Sequence, residues 1–182
     1  MHFRTLLPLL VGPAIGNLAP RDGKSVVASL STITDQLATM NATLDKIQGA
    51  DDAQAAVDFQ NEATDLKSQL EKATDTVKSS NAFSDEESSS VAYAVLDVTD
   101  LTYTVLGKVA TKHDAFDKLG GSAITDLVHD QLGGLQNTTD TFSTALTDKF
   151  VEAVKSVAPL LISSLDFHFY QTIQVYADKG GK

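Results

Sequence analysis

The spacing of apolar residues over positions 26–47 and 56–77 is the feature that most constrains the fold. Spacings of alternately four and three residues place a stripe down one side of an α-helix. The two stripes are Val26, Leu30, Ile33, Leu37, Met40, Leu44 and Ile47, and then Ala56, Phe59, Ala63, Leu66, Leu70, Ala73 and Val77. Because the flanking residues are polar, each segment can hide its stripe only against another helix or an apolar ligand. The pattern predicts packed amphipathic helices and a function that uses apolar surface.

Start and stop signals divide the chain into about five helices. The first is predicted from about Ser25 to Gln48 and the second from about Asp52 to Ser80. A third begins at Ser84, because a Ser cap with Glu three residues later satisfies two free backbone N–H groups. From Val91 this helix carries two parallel apolar stripes. So wide an apolar face predicts burial on more than one side, as for a central helix.

The second half of the chain predicts two more helices. One follows the break at Gly120-Gly121, and Gly133-Gly134 inside it is expected to weaken or split it, since Gly is a poor helix former. The last runs from about Pro159 to Ala177, with proline in the first turn. The fold class is therefore an all-α bundle of about five amphipathic helices, mostly antiparallel, in a single domain over residues 20–182.

Residues 1–19 have the layout of a secretory signal peptide. A positively charged start at Met1 to Arg4 precedes an apolar run from Thr5 to Ile15, and small residues follow up to Ala19. The run is about half the roughly 20 residues that span a bilayer. No later stretch is long enough to cross a membrane, and residues 176–182 lack the hydrophobic tail of a lipid-anchor signal. We expect a secreted, extracellular protein with no transmembrane segment.

Composition excludes several classes of function. The chain has no cysteine, which excludes disulfides, cysteine nucleophiles and thiolate metal sites. Its net charge is −10, so it lacks the basic face that nucleic acid requires. The motifs of hydrolases, metalloproteases and phosphate-binding loops are also missing. His113, His129 and His168 are far apart in sequence, and we interpret them as surface residues. We expect no enzyme activity, no metal and no cofactor.

Two acceptor sequences for N-glycosylation occur, at Asn41 and at Asn137. Asn41 lies in the middle of the first predicted helix, beside its stripe. Asn137 lies near the Gly-Gly pair and is the better candidate.

The apolar faces allow two interpretations. They form either a close-packed bundle core or a tunnel between helices that holds an apolar chain. If a tunnel exists, we expect it between the third helix, which has the widest apolar face, and the last, which has the bulkiest inward residues. Its candidate lining is Val98, Leu101, Val105, Leu161, Leu165 and Phe169. No Lys or Arg lies on the stripes, so a fatty-acid carboxylate would meet hydroxyls or the cavity mouth.

Taken in order, these features resemble the secreted hydrophobic surface-binding proteins of filamentous fungi, the family that includes the cell-wall galactomannoproteins. The resemblance rests on the helix pattern after Pro20-Arg21-Asp22 and on the cysteine-free helical body. It also rests on two series of apolar residues, Val26, Leu30, Ile33 and Leu37 near the start and Leu165, Phe169, Ile173 and Tyr176 at the end.

The resemblance implies an all-α domain that adsorbs to hydrophobic solids or lipids, or encloses a fatty acid, and that can recruit a secreted esterase. The functional hypothesis is a secreted, non-enzymatic binder of hydrophobic surfaces or lipids. The alternative is a structural, glycosylated cell-wall mannoprotein.

Overall fold

Five long helices and two short ones make up a computed structural model that describes residues 22–177. They are α1 (Gly23–Lys46), α2 (Ala53–Lys78), α3 (Asp85–Thr111), α4 (His113–Gly120), α5 (Ser122–Thr147), α6 (Glu152–Lys155) and α7 (Ala158–Ala177). There is no β-strand between residues 22 and 177, which confirms the all-α prediction. The predicted signal peptide, residues 1–19, lies outside the described residues.

Glu87 ties the start of α3 to the start of α1. Its carboxylate accepts the backbone N–H of Ser84 at 2.9 Å while the Ser84 hydroxyl accepts the N–H of Glu87, so the predicted capping box is confirmed. The other carboxylate oxygen accepts the N–H of Gly23 at 2.9 Å. A Cβ atom at Gly23 would lie 2.8 Å from the Glu87 Cβ, so the close approach requires glycine there. These hydrogen bonds, Ser84 first, lower the pKa of Glu87.

The long helices close into a ring. α1 packs between α2 and α3, α2 packs against α5, and α7 closes the ring by packing against both α5 and α3. The order around the ring therefore differs from the order along the chain, and the apolar stripes point toward a common axis. All seven residues of the first stripe, six in α1 and Ile47 directly after it, are at most 3% exposed.

Polar contacts fix the directions of neighbouring helices. Thr43 donates to Glu62 and Gln69 donates to Gln36, so α1 and α2 run in opposite directions. Their connection is only six residues long. This pair therefore has the antiparallel arrangement and the short loop that the sequence predicted, whereas α1 and α3 run in the same direction.

One of the two closing contacts of the ring, between α3 and α7, pairs helices that run in the same direction. Tyr103 of α3 donates to Ser164 of α7 at 2.9 Å, and Tyr176 of α7 donates to the Val109 carbonyl of α3 at 2.7 Å. Residue numbers thus rise together along α3 and α7.

Three details differ from the sequence-based expectations. α3 ends at Thr111, and the short helices α4 and α6 were not predicted. α5 continues through Gly133-Gly134, because the flanking Leu132 and Leu135 are buried and hold that turn against the core. α3 is a member of the ring and not a central helix: Leu96, on its second stripe, is 45% exposed. One part of the wide apolar face of α3 therefore packs into the core, and the other part forms exposed apolar surface.

Candidate functional site

Two small apolar cavities lie along the axis of the ring. The larger, of about 60 Å³, takes its lining from all five long helices. The smaller, of about 30 Å³, is lined by the same helices further along. Leu37, Leu66, Thr102, Leu135 and Phe169 line both, so the two cavities form one line through the interior.

Neither cavity holds an acyl chain as it stands. A single water molecule occupies about 30 Å³ in the liquid, and an engineered cavity that binds benzene measures about 150 Å³. The interior is therefore close-packed around gaps of one or two water volumes, and a long ligand would have to spread the helices.

A much larger apolar groove opens on the outside of the ring. It measures about 440 Å³, within the usual range of about 300–1,000 Å³ for ligand pockets. α3, α5, α6 and the start of α7 form its walls. Val95, Phe142 and Ser143 line both this groove and the larger axial cavity. The groove and the larger cavity therefore lie on two sides of the same three residues.

The predicted lining residues fall on this path with one exception. Val98, Leu165 and Phe169 line the larger cavity, and Val105 lines the smaller one with Phe169. Leu161 lines the outer groove. Leu101 is half-buried and packs against the core, but it lines none of the three spaces.

Sequence reasoning missed the share of α1, α2 and α5 in the lining. Leu37, Leu66, Leu135 and Phe142 face the axis as fully as the α3 and α7 residues do. Their positions on the stripes were visible in the sequence. A pattern along one helix does not say which other stripes it meets, and the ring brings all five to one axis.

Among residues 22–177, the side chains that line the axial cavities and the groove include hydroxyls but no charged group. Thr99, Thr139 and Ser143 line the larger cavity. Most helical Ser and Thr residues here donate to a carbonyl one turn earlier, as Thr102 does to Val98. For the hydroxyls of Thr99, Thr139 and Ser143, no hydrogen bond occurs among residues 22–177. They are available to a polar group entering the cavity.

Charged residues gather in a separate, wider depression of about 710 Å³ between α2 and the end of α5. Asp140 lies at its edge with Lys78 and Lys149. Asp140 also meets Asp166 of α7 side chain to side chain. Burial, the hydrogen bond to Asp166 and the charge of Asp166 raise the pKa of Asp140 to about 6.

The histidines are not assembled into a centre. His113 and His129 each lie beside the aspartate that follows it, at 3.4 and 3.3 Å, and His168 stacks on Tyr103. No group of three or more His, Asp or Glu residues between positions 22 and 177 could hold a metal ion. No helix in that range is both long enough and apolar enough to cross a membrane.

The two candidate glycosylation sites differ in exposure. Asn137 is exposed on α5. The side-chain oxygen of Asn41 is buried without a hydrogen-bond partner among residues 22–177, and Thr43 of the same sequon is buried and bonded to Glu62. Glycan attachment at either site remains a prediction, and Asn137 is the more accessible.

These features define a class of protein: an all-helical ring built around apolar surfaces, with an apolar groove leading toward its interior. The profile of the family described as "Hydrophobic surface binding protein A" matches residues 23–148. The chain belongs to that family, as the sequence resemblance predicted.

Known proteins support this assignment. The chain is 24% identical over 180 residues to cell wall mannoprotein 1 of Aspergillus flavus, and the match covers 98% of this chain but 63% of that protein's length. The crystal structure of Afmp4p in complex with palmitic acid matches 85% of this chain and 99% of its own, with a TM-score of 0.80 and 27% identity. Ligand binding domain 2 of the Penicillium marneffei MP1 protein, complexed with arachidonic acids, shares the fold with a TM-score of 0.73 over 85% of this chain and 93% of its own, at 13% identity.

Proposed function

We propose that the protein is a secreted, non-enzymatic binder of hydrophobic surfaces and lipids that encloses a fatty-acid-like chain between its helices. The observation that carries this proposal is the uncharged, mostly apolar lining that the outer groove shares with the larger axial cavity, and that cavity with the smaller one. The palmitic acid bound by Afmp4p, a structural relative over 85% of this chain, supports it.

The residues suggest how such a chain would be held. The acyl chain would enter past Val95 and Phe142 and lie along the axis, where apolar side chains replace water around it. Its carboxyl group would meet hydroxyls, because no Lys or Arg lines the path. Thr99 and Ser143 are placed to donate to it. Because these donors are neutral, we expect the bound fatty acid to exchange readily with free fatty acid.

Val98→Phe tests the axial placement. If acyl chains occupy the larger cavity, the added ring competes for the space that Val98 lines and should abolish uptake of a fluorescent fatty acid such as cis-parinaric acid. Val57→Phe, at a 49% exposed position of α2, is the matched control and should bind like the original protein.

Thermal denaturation of the same variants separates the two interpretations. A phenyl ring that turns into the existing gap of about 60 Å³ beside Val98 leaves the melting temperature nearly unchanged. Overpacking of a rigid core costs about 1–3 kcal/mol. A clear fall in stability with fatty-acid binding intact would contradict the axial placement.

A second candidate function, a structural cell-wall mannoprotein, is favoured by the similarity to cell wall mannoprotein 1 and by the exposed Asn137. Fractionation of culture medium and wall extract, with enzymatic deglycosylation, distinguishes the two. A glycosylated protein found only in the wall and free of lipid by native mass spectrometry would favour the structural function.

The family resemblance also implies that the protein recruits a secreted esterase to the hydrophobic surface on which it is bound. Co-sedimentation of a cutinase-like esterase with hydrophobic particles, with and without this protein, tests it directly. Ester hydrolysis by the purified protein itself would contradict the non-enzymatic assignment.

A further inference from the structure

The side of α7 that faces away from the ring is uncharged and apolar. Its large residues Leu160, Phe167 and Tyr170 are 73%, 55% and 57% exposed. Every other exposed residue of α7 is also uncharged: Pro159, Ser163, Gln171, Gln174 and Val175. A surface helix normally presents a charged or polar side to water, whereas the outer side of α7 is uncharged and carries three large apolar residues among its neutral polar ones.

Exposed large apolar residues concentrate on this part of the molecule. Residues 22–177 contain eight large apolar residues that are strongly exposed. Of these eight, Val57 on α2 is the single one that lies on α1, α2 or α5. Leu96 of α3 and Val157 line the outer groove together with Leu160. We call Leu96, Val157, Leu160, Phe167 and Tyr170 the α7 outer face. Groups of exposed large apolar residues mark interaction sites on soluble proteins.

Charge is kept off this face. α7 contains one acidic residue, Asp166, and no Lys or Arg. The Asp166 side chain is hydrogen-bonded to Asp140 of the neighbouring helix α5. The protein as a whole carries a net charge of −10. An acidic protein with one uncharged apolar face is suited to an uncharged apolar surface and is repelled by an anionic one.

We propose that the α7 outer face is the surface by which the protein lies on an uncharged lipid or wax film, with the outer groove opening directly onto that film. Phe167 and Leu160 enter the film. Tyr170 lies at its boundary, because its ring is apolar while its hydroxyl can remain in water. Acyl chains then pass from the film into the groove without crossing water. This inference rests on the proposed binding of apolar surfaces and specifies the face responsible.

The double variant Phe167→Ser/Tyr170→Ser tests the proposal, because neither residue lines a cavity. Binding is measured by flotation with a triglyceride emulsion and, separately, with phosphatidylglycerol vesicles. Loss of two partly buried aromatic contacts should weaken emulsion binding by about tenfold or more. Val57→Ser, an equally exposed apolar residue on α2, is the matched control and should bind as the original protein does.

Two further measurements keep this result distinct from the proposed function. The double variant should bind cis-parinaric acid in solution as the original protein does. If the original protein fails to bind this fatty acid, the proposal of an enclosed ligand is overturned, but the assignment of the α7 outer face is not affected. Sedimentation should show one monomeric species for every variant.

Emulsion binding by the double variant at the original strength would overturn the assignment of this face. Equal binding of the original protein to the anionic vesicles would also overturn it, because an uncharged face on an acidic protein should bind the anionic surface more weakly. A dimer that the double variant converts to monomer would show that the face binds a second copy of the chain instead of a film.

Discussion

Asp140 and Asp166 show how a pair of residues makes one helix contact depend on pH. The two carboxyl groups face each other where α5 meets α7, and they hydrogen-bond only when one of them holds a proton. Lys78, Asp148 and Lys149 line the same depression as Asp140 and contribute charges of both signs around it. The contact is therefore attractive in acid and repulsive when both groups are ionised.

We expect Asp140→Asn to flatten the pH dependence of stability. The pKa of Asp140 is raised from 3.8 to about 6 in the folded protein, so its favourable contribution is complete below about pH 4 and is lost as pH rises through 6. Asparagine can donate to Asp166 at every pH. The effect should be about 1 kcal/mol or less, because solvent screens this half-exposed pair.

Urea denaturation at pH 4.5 and pH 7.5 measures this difference. Asp97→Asn, which removes one exposed carboxylate from α3, is the control for net charge and should keep the original pH dependence. Identical slopes for Asp140→Asn and the original protein would show that the pair does not govern stability.

At the scale of the element, α5 shows a helix maintained by its neighbours and not by its own composition. Gly133 and Gly134 occupy its middle, and a Cβ atom built at either position would meet nothing within 4 Å. No close approach therefore requires glycine at these two positions. The buried Leu132 and Leu135 on either side hold the turn in the ring.

Gly133→Ala should stabilise the protein by about 0.5–1 kcal/mol, because alanine has the higher helix propensity and the site has room for its methyl group. Gly121→Ala is the contrasting variant. Gly121 joins α4 to α5 with a φ of 61°, which a side chain disfavours, so that change should destabilise. Melting temperatures of the two variants should move in opposite directions, and a fall for Gly133→Ala would show that the gap there is needed.

At the scale of the whole molecule, the ring must open for a ligand to enter, and α7 is the helix best suited to move. α7 buries four of its 20 residues, whereas α1 buries eight of 24. The contact between α3 and α7 depends on polar groups, including the Tyr103 hydroxyl that donates to Ser164 and the Tyr103 ring stacked on His168 at 4.0 Å. Elements with few buried contacts open at the lowest free-energy cost.

Tyr103→Ala should therefore speed fatty-acid uptake while lowering thermal stability. Removing the hydrogen bond and the ring contact loosens α7 from α3 without changing the cavity lining. Stopped-flow fluorescence with cis-parinaric acid measures the rate. Tyr93→Ala, at a 72% exposed position of the same helix, is the control, and an uptake rate unchanged by Tyr103→Ala would show that entry does not use this contact.

The sequence by itself determined the five long helices and the main apolar stripe of each. Both properties are local: a stripe with a period near 3.6 residues, a cap at Ser84 and a proline in the first turn of α7 act within a few residues of each other. The same stripes were enough to place Val98, Val105, Leu165 and Phe169 on the interior.

Only the tertiary structure decided which stripes share an axis, because the ring order is set by packing between segments far apart in the chain. It placed Leu101 away from the cavities and put Leu37 and Leu66 beside them. It also turned Leu96, which the sequence marks as core, toward the outside. Apolar periodicity indicates that a residue lies on the apolar side of its helix. The packing of the helices decides whether that residue contacts the core, a ligand or an external apolar surface.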